Sequence, residues 1–198
     1  MSGLRATIEA SVLKALLGLP SSVQRALLRR RVELDGQTLA SEIQLMLALQ
    51  RITREPKMEG LPIGGGRDSL VRHASLISWN QPIGAIRDLM VEGADGELPA
   101  RLYIPSSRLG PDPAPTLLFL HGGGWVYGDL ESHDGACRHL AEQSGVQVLA
   151  VDYRLAPESP FPAAVDDAEE AFRWLAKNAD VVNADPERLA VGGDSAGG

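Results

Sequence analysis

Apolar residues recur every three or four positions along the first part of the chain. One such stripe consists of Leu4, Ile8, Val12 and Leu16, and a later one of Leu39, Ile43, Met46 and Leu47. This period places apolar side chains on one face of an amphipathic helix. It predicts a helical segment over residues 1 to about 55. Residues 56–84, with three consecutive glycines and scattered prolines, are predicted to be a linker.

From residue 86 onward, short apolar runs alternate with helical patterns. Strands are predicted at Ile86–Val91, Ala100–Ile104, Thr116–Leu120, Val146–Val151 and Leu189–Val191, and helices at Arg138–Ser144 and Ala163–Asn178. The first two strands meet through Gly93–Gly96, which predicts an antiparallel hairpin. The later alternation predicts parallel strands with right-handed crossovers. The expected fold class is therefore α/β, with about five strands in a mostly parallel sheet.

Charge and composition narrow the classes of partner and compartment. A net charge of −7 and a pI near 5.1 argue against binding nucleic acid or an acidic polymer. The single cysteine, Cys137, rules out an internal disulfide and suits a reducing compartment. Lys14 interrupts the apolar run of the N-terminus, which is not typical of a signal peptide, and no apolar stretch has the length of a membrane span. We expect a cytoplasmic protein without stable membrane insertion.

The pattern Gly193-x-Ser195-x-Gly197 follows the last predicted strand. This spacing is typical of a nucleophile elbow, a sharp strand-to-helix turn that exposes a serine hydroxyl above a sheet. Glycines are needed on both sides because a Cβ atom there would collide with the neighbouring strand or helix. A pattern this short also occurs by chance, so a second element has to support it.

A second element is the run His121-Gly-Gly-Gly-Trp125 directly after the strand Thr116–Leu120. Ligands bind at the carboxyl ends of strands in open α/β sheets, and glycine amides there can face a developing negative charge. The run therefore predicts an oxyanion hole. A plain glycine-rich turn and a phosphate loop are the alternatives, although no Lys-Ser/Thr pair and no GxGxxG pattern follows.

Two further blocks, Asp152–Glu158 and Phe161–Val165, lie between these motifs. Together the four blocks resemble the hormone-sensitive-lipase group of α/β-hydrolases, and the match covers about residues 85–198. The resemblance implies that residues 85–198 form the N-terminal part of the hydrolase core. It also implies that residues 1–84 form a helical cap segment and its connection, for which a helical interaction segment is the alternative.

The resemblance also implies roles for individual residues. Ser195 would be the nucleophile, and the backbone amides of Gly122, Gly123, Gly124 and Ala196 would form the oxyanion hole. Structural support of the site is expected from His121, Asp194, Arg154 and Glu158. We favour Arg154 and Glu158 as residues that tie a loop behind the site through a charge-assisted hydrogen bond, with substrate contact as the alternative. Neither a metal nor a cofactor is expected, since His133 and His139 are six positions apart and no HExxH motif occurs.

The triad acid and base are the largest departure from the family. In α/β-hydrolases both follow the nucleophile, whereas three residues follow Ser195 here and none is acidic or a histidine. None of the histidines before it is favoured as the base, and Asp166 and Asp167 are expected to be exposed helix residues. We therefore expect an incomplete chain that is inactive on its own, since a serine without a general base is a weak nucleophile.

The function that the resemblance implies is a serine carboxylester hydrolase acting on short to medium acyl esters through an acyl-enzyme. The alternatives are an amide or formamide hydrolase of the same group and a non-catalytic ligand-binding protein on the same fold. The expected partner is a small ester, and a homodimer of the full-length protein is left open.

Overall fold

The computed structural model describes residues 11–28, 31–53, 56, 58–78 and 81–198. These residues belong to two compact units that divide between Leu61 and Pro62. Leu4 and Ile8 of the first apolar stripe lie outside the described residues. The assignment of residues 1–84 to a cap and its connection stays a prediction.

The first unit is mainly helical, as predicted. Its elements are α1 (described over residues 11–17), α2 (Ser21–Leu27), β1 (Glu33–Leu34), β2 (Gln37–Thr38), α3 (Ser41–Thr53) and a 3-10 turn (Met58–Gly60). The side-chain amide of the buried Gln24 donates to the carbonyl of Leu17, 2.8 Å away, where α1 ends. Because the last carbonyls of a helix have no intrahelical partner, this bond stabilises the turn between α1 and α2.

The second unit contains the sheet. Its elements are α4 (Ile63–Ile77), β3 (Ala85–Gly93), β4 (Gly96–Ile104), β5 (Ala114–Leu120), α5 (Leu130–Ser144), β6 (Gln147–Val151), α6 (Ala163–Lys177) and β7 (Ala184–Gly193). Three 3-10 turns lie between or after them, at Ser106–Arg108, Ala179–Val182 and Ser195–Gly197.

The described strands of this unit pair in the order β3-β4-β6-β5-β7. β3, β4 and β6 are antiparallel neighbours, whereas β6, β5 and β7 run parallel. The prediction of an α/β fold with five strands is confirmed. The sheet is mixed rather than mostly parallel, because the hairpin β3–β4 joins it through an antiparallel pairing with β6.

β6 shows how the sheet is covered on both faces. All five of its residues are buried. Val148 and Ala150 face the core on the α5 side, and Leu149 and Val151 face the core on the α6 side. Successive strand residues point to opposite faces, so a strand covered by helices on both sides is apolar throughout rather than alternating.

Three elements differ in extent from their predictions. α4 occupies a stretch predicted to be a linker, and it packs on α5 so closely that a Cβ at Gly135 would overlap the side chain of Ser78. α5 starts at Leu130 rather than Arg138, because Asp129 and Ser132 form a reciprocal capping box before a polar first turn. β7 starts at Ala184 rather than Leu189, because its polar first half still pairs along β5.

Asp167 was predicted to be an exposed helix residue, and this prediction is wrong. Its side chain is fully buried, and its carboxylate accepts hydrogen bonds from the guanidinium of Arg154 and from the amide of Ala94. Burial alone would raise the pKa of Asp167, but these donors outweigh it and hold the pKa below the ordinary value. The neighbouring Asp166 is exposed, as predicted.

We expect Asp167→Asn to lower the free energy of unfolding at pH 7 by about 2–3 kcal/mol, because it removes the buried partner of Arg154. A depressed pKa stabilises the fold above the unfolded-state value of about 4, and this contribution is lost as the pH falls through the folded-state pKa. The variant should therefore lose less stability than the wild type between pH 7 and pH 3. Urea unfolding at both pH values measures the difference.

Asp166→Asn is the matched control, since it makes the same change one position away on the exposed side of α6. It should shift the free energy of unfolding by no more than about 0.5 kcal/mol. Equal effects of the two substitutions would contradict the assignment of a stabilising role to the buried carboxylate.

Candidate active site

The turn after β7 holds Ser195 in an unusual backbone conformation. Its φ is 51°, in the left-handed region, and the residue is exposed. A side-chain-bearing residue in this region costs about 1–3 kcal/mol and persists where its surroundings enforce it. The strand, the left-handed serine and the 3-10 turn Ser195–Gly197 together form a sharp elbow with the serine at its tip.

Close packing against the end of β5 enforces this elbow. A Cβ atom on Gly193 or on Gly197 would overlap the carbonyl oxygen of Leu120, the last residue of β5. Glycine is the residue that allows such an approach. The turn therefore lies directly against the point where the chain leaves β5 and enters the glycine run.

The glycine run is a tight loop with consecutive residues at positive φ. The φ values are 122° at Gly123, 63° at Gly124 and 61° at Trp125. The carbonyl of Gly123 accepts hydrogen bonds from the amides of Val126 and Tyr127, at 3.2 and 2.9 Å. These bonds close the turn and leave the amides of Gly123 and Gly124 on its outside.

A side-chain hydrogen bond joins this loop to the elbow. The amide of Gly122 donates to Oδ1 of Asp194, 2.8 Å away, and Asp194 directly precedes Ser195. The amide of Gly122 is therefore occupied, which argues against the predicted place of Gly122 in an oxyanion hole. In the described part of the chain, the amides of Gly123, Gly124 and Ala196 donate no hydrogen bond, so they stay candidates for that role.

His121 lies beneath the loop and is almost completely buried. Its Nδ1 lies 2.9 Å from the carbonyl oxygen of Gly122, which can only accept, so Nδ1 carries the hydrogen. The ring stacks on Tyr153 with 4.2 Å between centroids, and the Tyr153 hydroxyl donates to the carbonyl of His121. Burial is the main cause that lowers the pKa of His121, so the imidazole is neutral at pH 7.

Two side chains near His121 were not predicted to belong to the site. Nε2 of His133 lies 3.4 Å from Oδ1 of Asp194, the oxygen that also accepts from Gly122. Oδ1 of Asp152 lies 3.9 Å from Nε2 of His121, and burial, followed by the charge of Asp129, raises the pKa of Asp152 to about 6. His133 follows the capping serine of α5, and that box is the local signal that would have placed it beside the loop.

Arg154 and Glu158 were predicted to tie a loop behind the site, and they do so with different partners. Arg154 pairs with Asp167, whereas Glu158 forms a two-pronged ion pair with Arg67 of α4 at 2.8 and 3.0 Å. The Arg67 guanidinium holds the pKa of Glu158 below its ordinary value. Arg67 was not predicted, because its partners lie about 60 to 90 positions later in the sequence.

The described residues supply neither a partner for the serine hydroxyl nor a metal centre. No hydrogen bond joins Ser195 Oγ to a histidine or carboxylate in the ranges that the structure covers. Among the same residues, no group of three or more histidine, cysteine, aspartate or glutamate side chains has a geometry that could hold a metal ion. No described helix is both long enough and apolar enough to cross a bilayer.

We expect Gly197→Ala to lower the free energy of unfolding by about 1–3 kcal/mol, because the added methyl group would overlap the Leu120 carbonyl. Gly192→Ala is the matched control one turn earlier. Its Cβ would meet only the flexible Leu117 side chain, at 3.5 Å, so its stability should stay within about 0.5 kcal/mol of the wild type. Thermal unfolding compares the two, and an equally stable Gly197→Ala variant would contradict the close packing of the elbow.

Comparisons with known proteins agree with this geometry. A family model for the α/β-hydrolase fold matches residues 117–198. The carboxylic ester hydrolase LipN of Mycobacterium tuberculosis is 44% identical, in an alignment that covers 93% of this chain and 49% of the relative. The ethyl acetate hydrolase of Pseudomonas putida is 43% identical, with 81% of this chain and 51% of the relative covered. The chain thus spans about half the length of the curated relatives it matches.

Solved structures give the same result. An ester-hydrolase from the metagenome of Lake Arreo superposes with a TM-score of 0.71 at 41% identity, over 78% of this chain and 50% of that structure. An esterase from the archaeon Pyrobaculum calidifontis superposes with a TM-score of 0.69 at 38% identity, over 77% and 49%. With its elbow, its glycine loop and these relatives, the chain belongs to the α/β-hydrolases of the hormone-sensitive-lipase group.

Proposed function

We propose that the protein is a serine carboxylester hydrolase with Ser195 as its nucleophile. The observation that carries the proposal is the hydrogen bond from Gly122 to Asp194, which brings the exposed Ser195 against a loop with unoccupied amides. A hydroxyl beside preorganised N–H donors is the arrangement that acyl transfer requires.

In the proposed reaction, Ser195 Oγ attacks the ester carbonyl carbon while a general base takes the hydroxyl proton. The carbonyl oxygen becomes an oxyanion, and the amides of Gly123, Gly124 and Ala196 donate to it. Collapse of this intermediate breaks the bond to the alcohol, which leaves with the proton. Water then attacks the acyl-serine by the same steps and releases the carboxylic acid.

The amides matter most after attack has begun. Hydrogen bonds to an ionised acceptor are about twice as strong as neutral ones, so they stabilise the oxyanion more than the ground-state carbonyl. Removing one such donor in other serine hydrolases costs about 10²–10³ in kcat. The positive φ values at Gly123 and Gly124 point these amides outward before substrate arrives, so little reorganisation is needed.

The proposed substrates are short to medium acyl esters. Gly124 and Trp125 also line an apolar cavity of about 290 Å³, together with Ala156, Phe161, Pro162 and Val165. Such a cavity suits a small apolar group of the ester rather than a charged one. A relative of this chain is an ethyl acetate hydrolase, which supports the same range.

A cytoplasmic location and a homodimer complete the proposal as predictions. The first is supported by the single cysteine, which is buried in the α5 side of the core and has its pKa raised to about 12 by burial. A thiol of this kind is inert and needs no oxidising compartment. The second rests on the family resemblance, and light scattering of the native protein tests it.

We expect Ser195→Ala to abolish labelling by a fluorophosphonate and to lower kcat for p-nitrophenyl acetate by about 10⁴-fold or more. The experiment uses the protein at the length its gene encodes, because none of the described histidines occupies the place of the base. Peptide mapping should locate the label on Ser195, and intact mass gives the length of the labelled chain. Ser144→Ala, which alters an exposed serine at the end of α5, is the control and should label normally.

Other outcomes select among the alternatives. Label on another serine would contradict the assignment of the nucleophile. Faster turnover of p-nitroacetanilide than of p-nitrophenyl acetate would favour an amide hydrolase. A native protein that neither labels nor hydrolyses either compound would favour a ligand-binding protein.

A further inference from the structure

One arginine of α4 contacts both loops beside the elbow. Nε of Arg67 donates to the carbonyl of Val126 at 2.8 Å, and its Nη2 donates to the carbonyl of Ala156 at 3.0 Å. Both terminal nitrogens also donate to the carboxylate of Glu158, at 3.0 and 2.8 Å. A single guanidinium thus joins α4, the end of the glycine loop and the loop after β6.

The glycine loop depends on ties of this kind because its conformation is strained. Trp125 has a side chain and a φ of 61°, a combination that costs about 1–3 kcal/mol where nothing enforces it. Two bonds from outside the loop hold this part of the chain. The amide of Ala156 donates to the carbonyl of Trp125 at 2.8 Å, and Arg67 holds the next carbonyl, that of Val126.

The shape of the guanidinium explains why arginine occupies this position. Its planar fork places one edge on the Glu158 carboxylate and keeps Nε for a separate acceptor. Glu158 orients the fork, and the fork then holds both carbonyls at fixed positions. A lysine has one ammonium group and cannot reproduce this spacing.

We propose that Arg67 is a positioning residue that fixes the glycine loop for oxyanion binding. Arg67 does not touch the reacting atoms. It acts through Val126 and Ala156, which hold Trp125 and thereby the direction of the Gly123 and Gly124 amides. The inference rests on the proposed function for its catalytic consequence, whereas the effect on the loop is independent of it.

The first test compares Arg67→Gln with the wild type at the length the gene encodes. Hydrogen–deuterium exchange of a peptide covering residues 121–128 should become about 10-fold faster or more, because the loop loses one of its two outside ties. Exchange in β6 should stay unchanged. Arg173→Gln is the control, since it removes an exposed i,i+4 ion pair on α6 and should alter exchange in neither peptide.

The second test measures how the loop treats the transition state. For Arg67→Gln, kcat/KM should fall about 10–100-fold, the range expected for misplaced catalytic groups. The Ki of a trifluoromethyl ketone, which forms an oxyanion on the serine, should rise by the same factor. The Ki of the matching methyl ketone should change by less than about 2-fold, because its neutral carbonyl demands less of the loop. A residue with a merely structural role would not separate the two inhibitors.

Glu158→Gln provides a second variant in case Arg67→Gln fails to fold. It keeps an acceptor for Arg67 and removes the charge, so both the exchange rate and the trifluoromethyl ketone Ki should shift in the same direction by about 3-fold. Lower kcat/KM that disappears when rates are divided by fluorophosphonate-titrated sites would overturn the inference, since it would reflect only the amount of folded enzyme.

The remaining outcomes separate the two proposals. Wild-type values for loop exchange and for both inhibitors in Arg67→Gln would overturn the positioning role even if the protein is an esterase. Faster loop exchange in the variant of a protein that neither labels nor hydrolyses esters would support the positioning role and overturn the proposed function.

Discussion

The contact between the elbow and the Leu120 carbonyl is the constraint on which the rest of the site depends. Gly193 and Gly197 both lie against this oxygen, so the chain passes the end of β5 with no room for side chains. The same approach brings Asp194 within hydrogen-bond distance of Gly122. Because the glycine loop starts one residue after Leu120, one backbone contact positions both the serine and the loop amides.

Charged side chains then hold the surrounding loops, and they do so in two environments. The buried Asp167 has every printed donor supplied by Arg154 and Ala94, which offsets the cost of burial and fixes the loop after β6 to α6. Glu158 is largely exposed and contributes little stability by itself. Its contribution is geometric, since it orients Arg67 toward two carbonyls of the site.

The features that could be predicted from the sequence are those with local signals. Gly193 to Gly197 and His121 to Trp125 are short patterns at strand ends, and the strand cores are uninterrupted apolar runs. Family resemblance supplied the order of these blocks, and the five strands lie where the patterns placed them. The Asp-Gly turn of the first unit and the turn between β3 and β4 were likewise visible as punctuation.

The rest depended on tertiary contacts that the sequence does not display. Asp166 and Asp167 are chemically identical neighbours, and only the position of Arg154 decides which one is buried. α4 contains three glycines, which lower helix propensity, and packing on α5 overrides that preference. The link from Arg67 to Glu158 spans 91 positions, a separation at which no local pattern carries information.

The alternation along β6 reaches beyond the core. Leu149 and Val151 fill the α6 side while the smaller pair Val148 and Ala150 fills the α5 side, so a slip of one residue in strand pairing would exchange sets of unequal volume. Tyr153 follows this strand after one residue, and its hydroxyl supports the His121 carbonyl. The unequal sizes of four buried aliphatic side chains thus keep the register that aims a tyrosine at the catalytic loop.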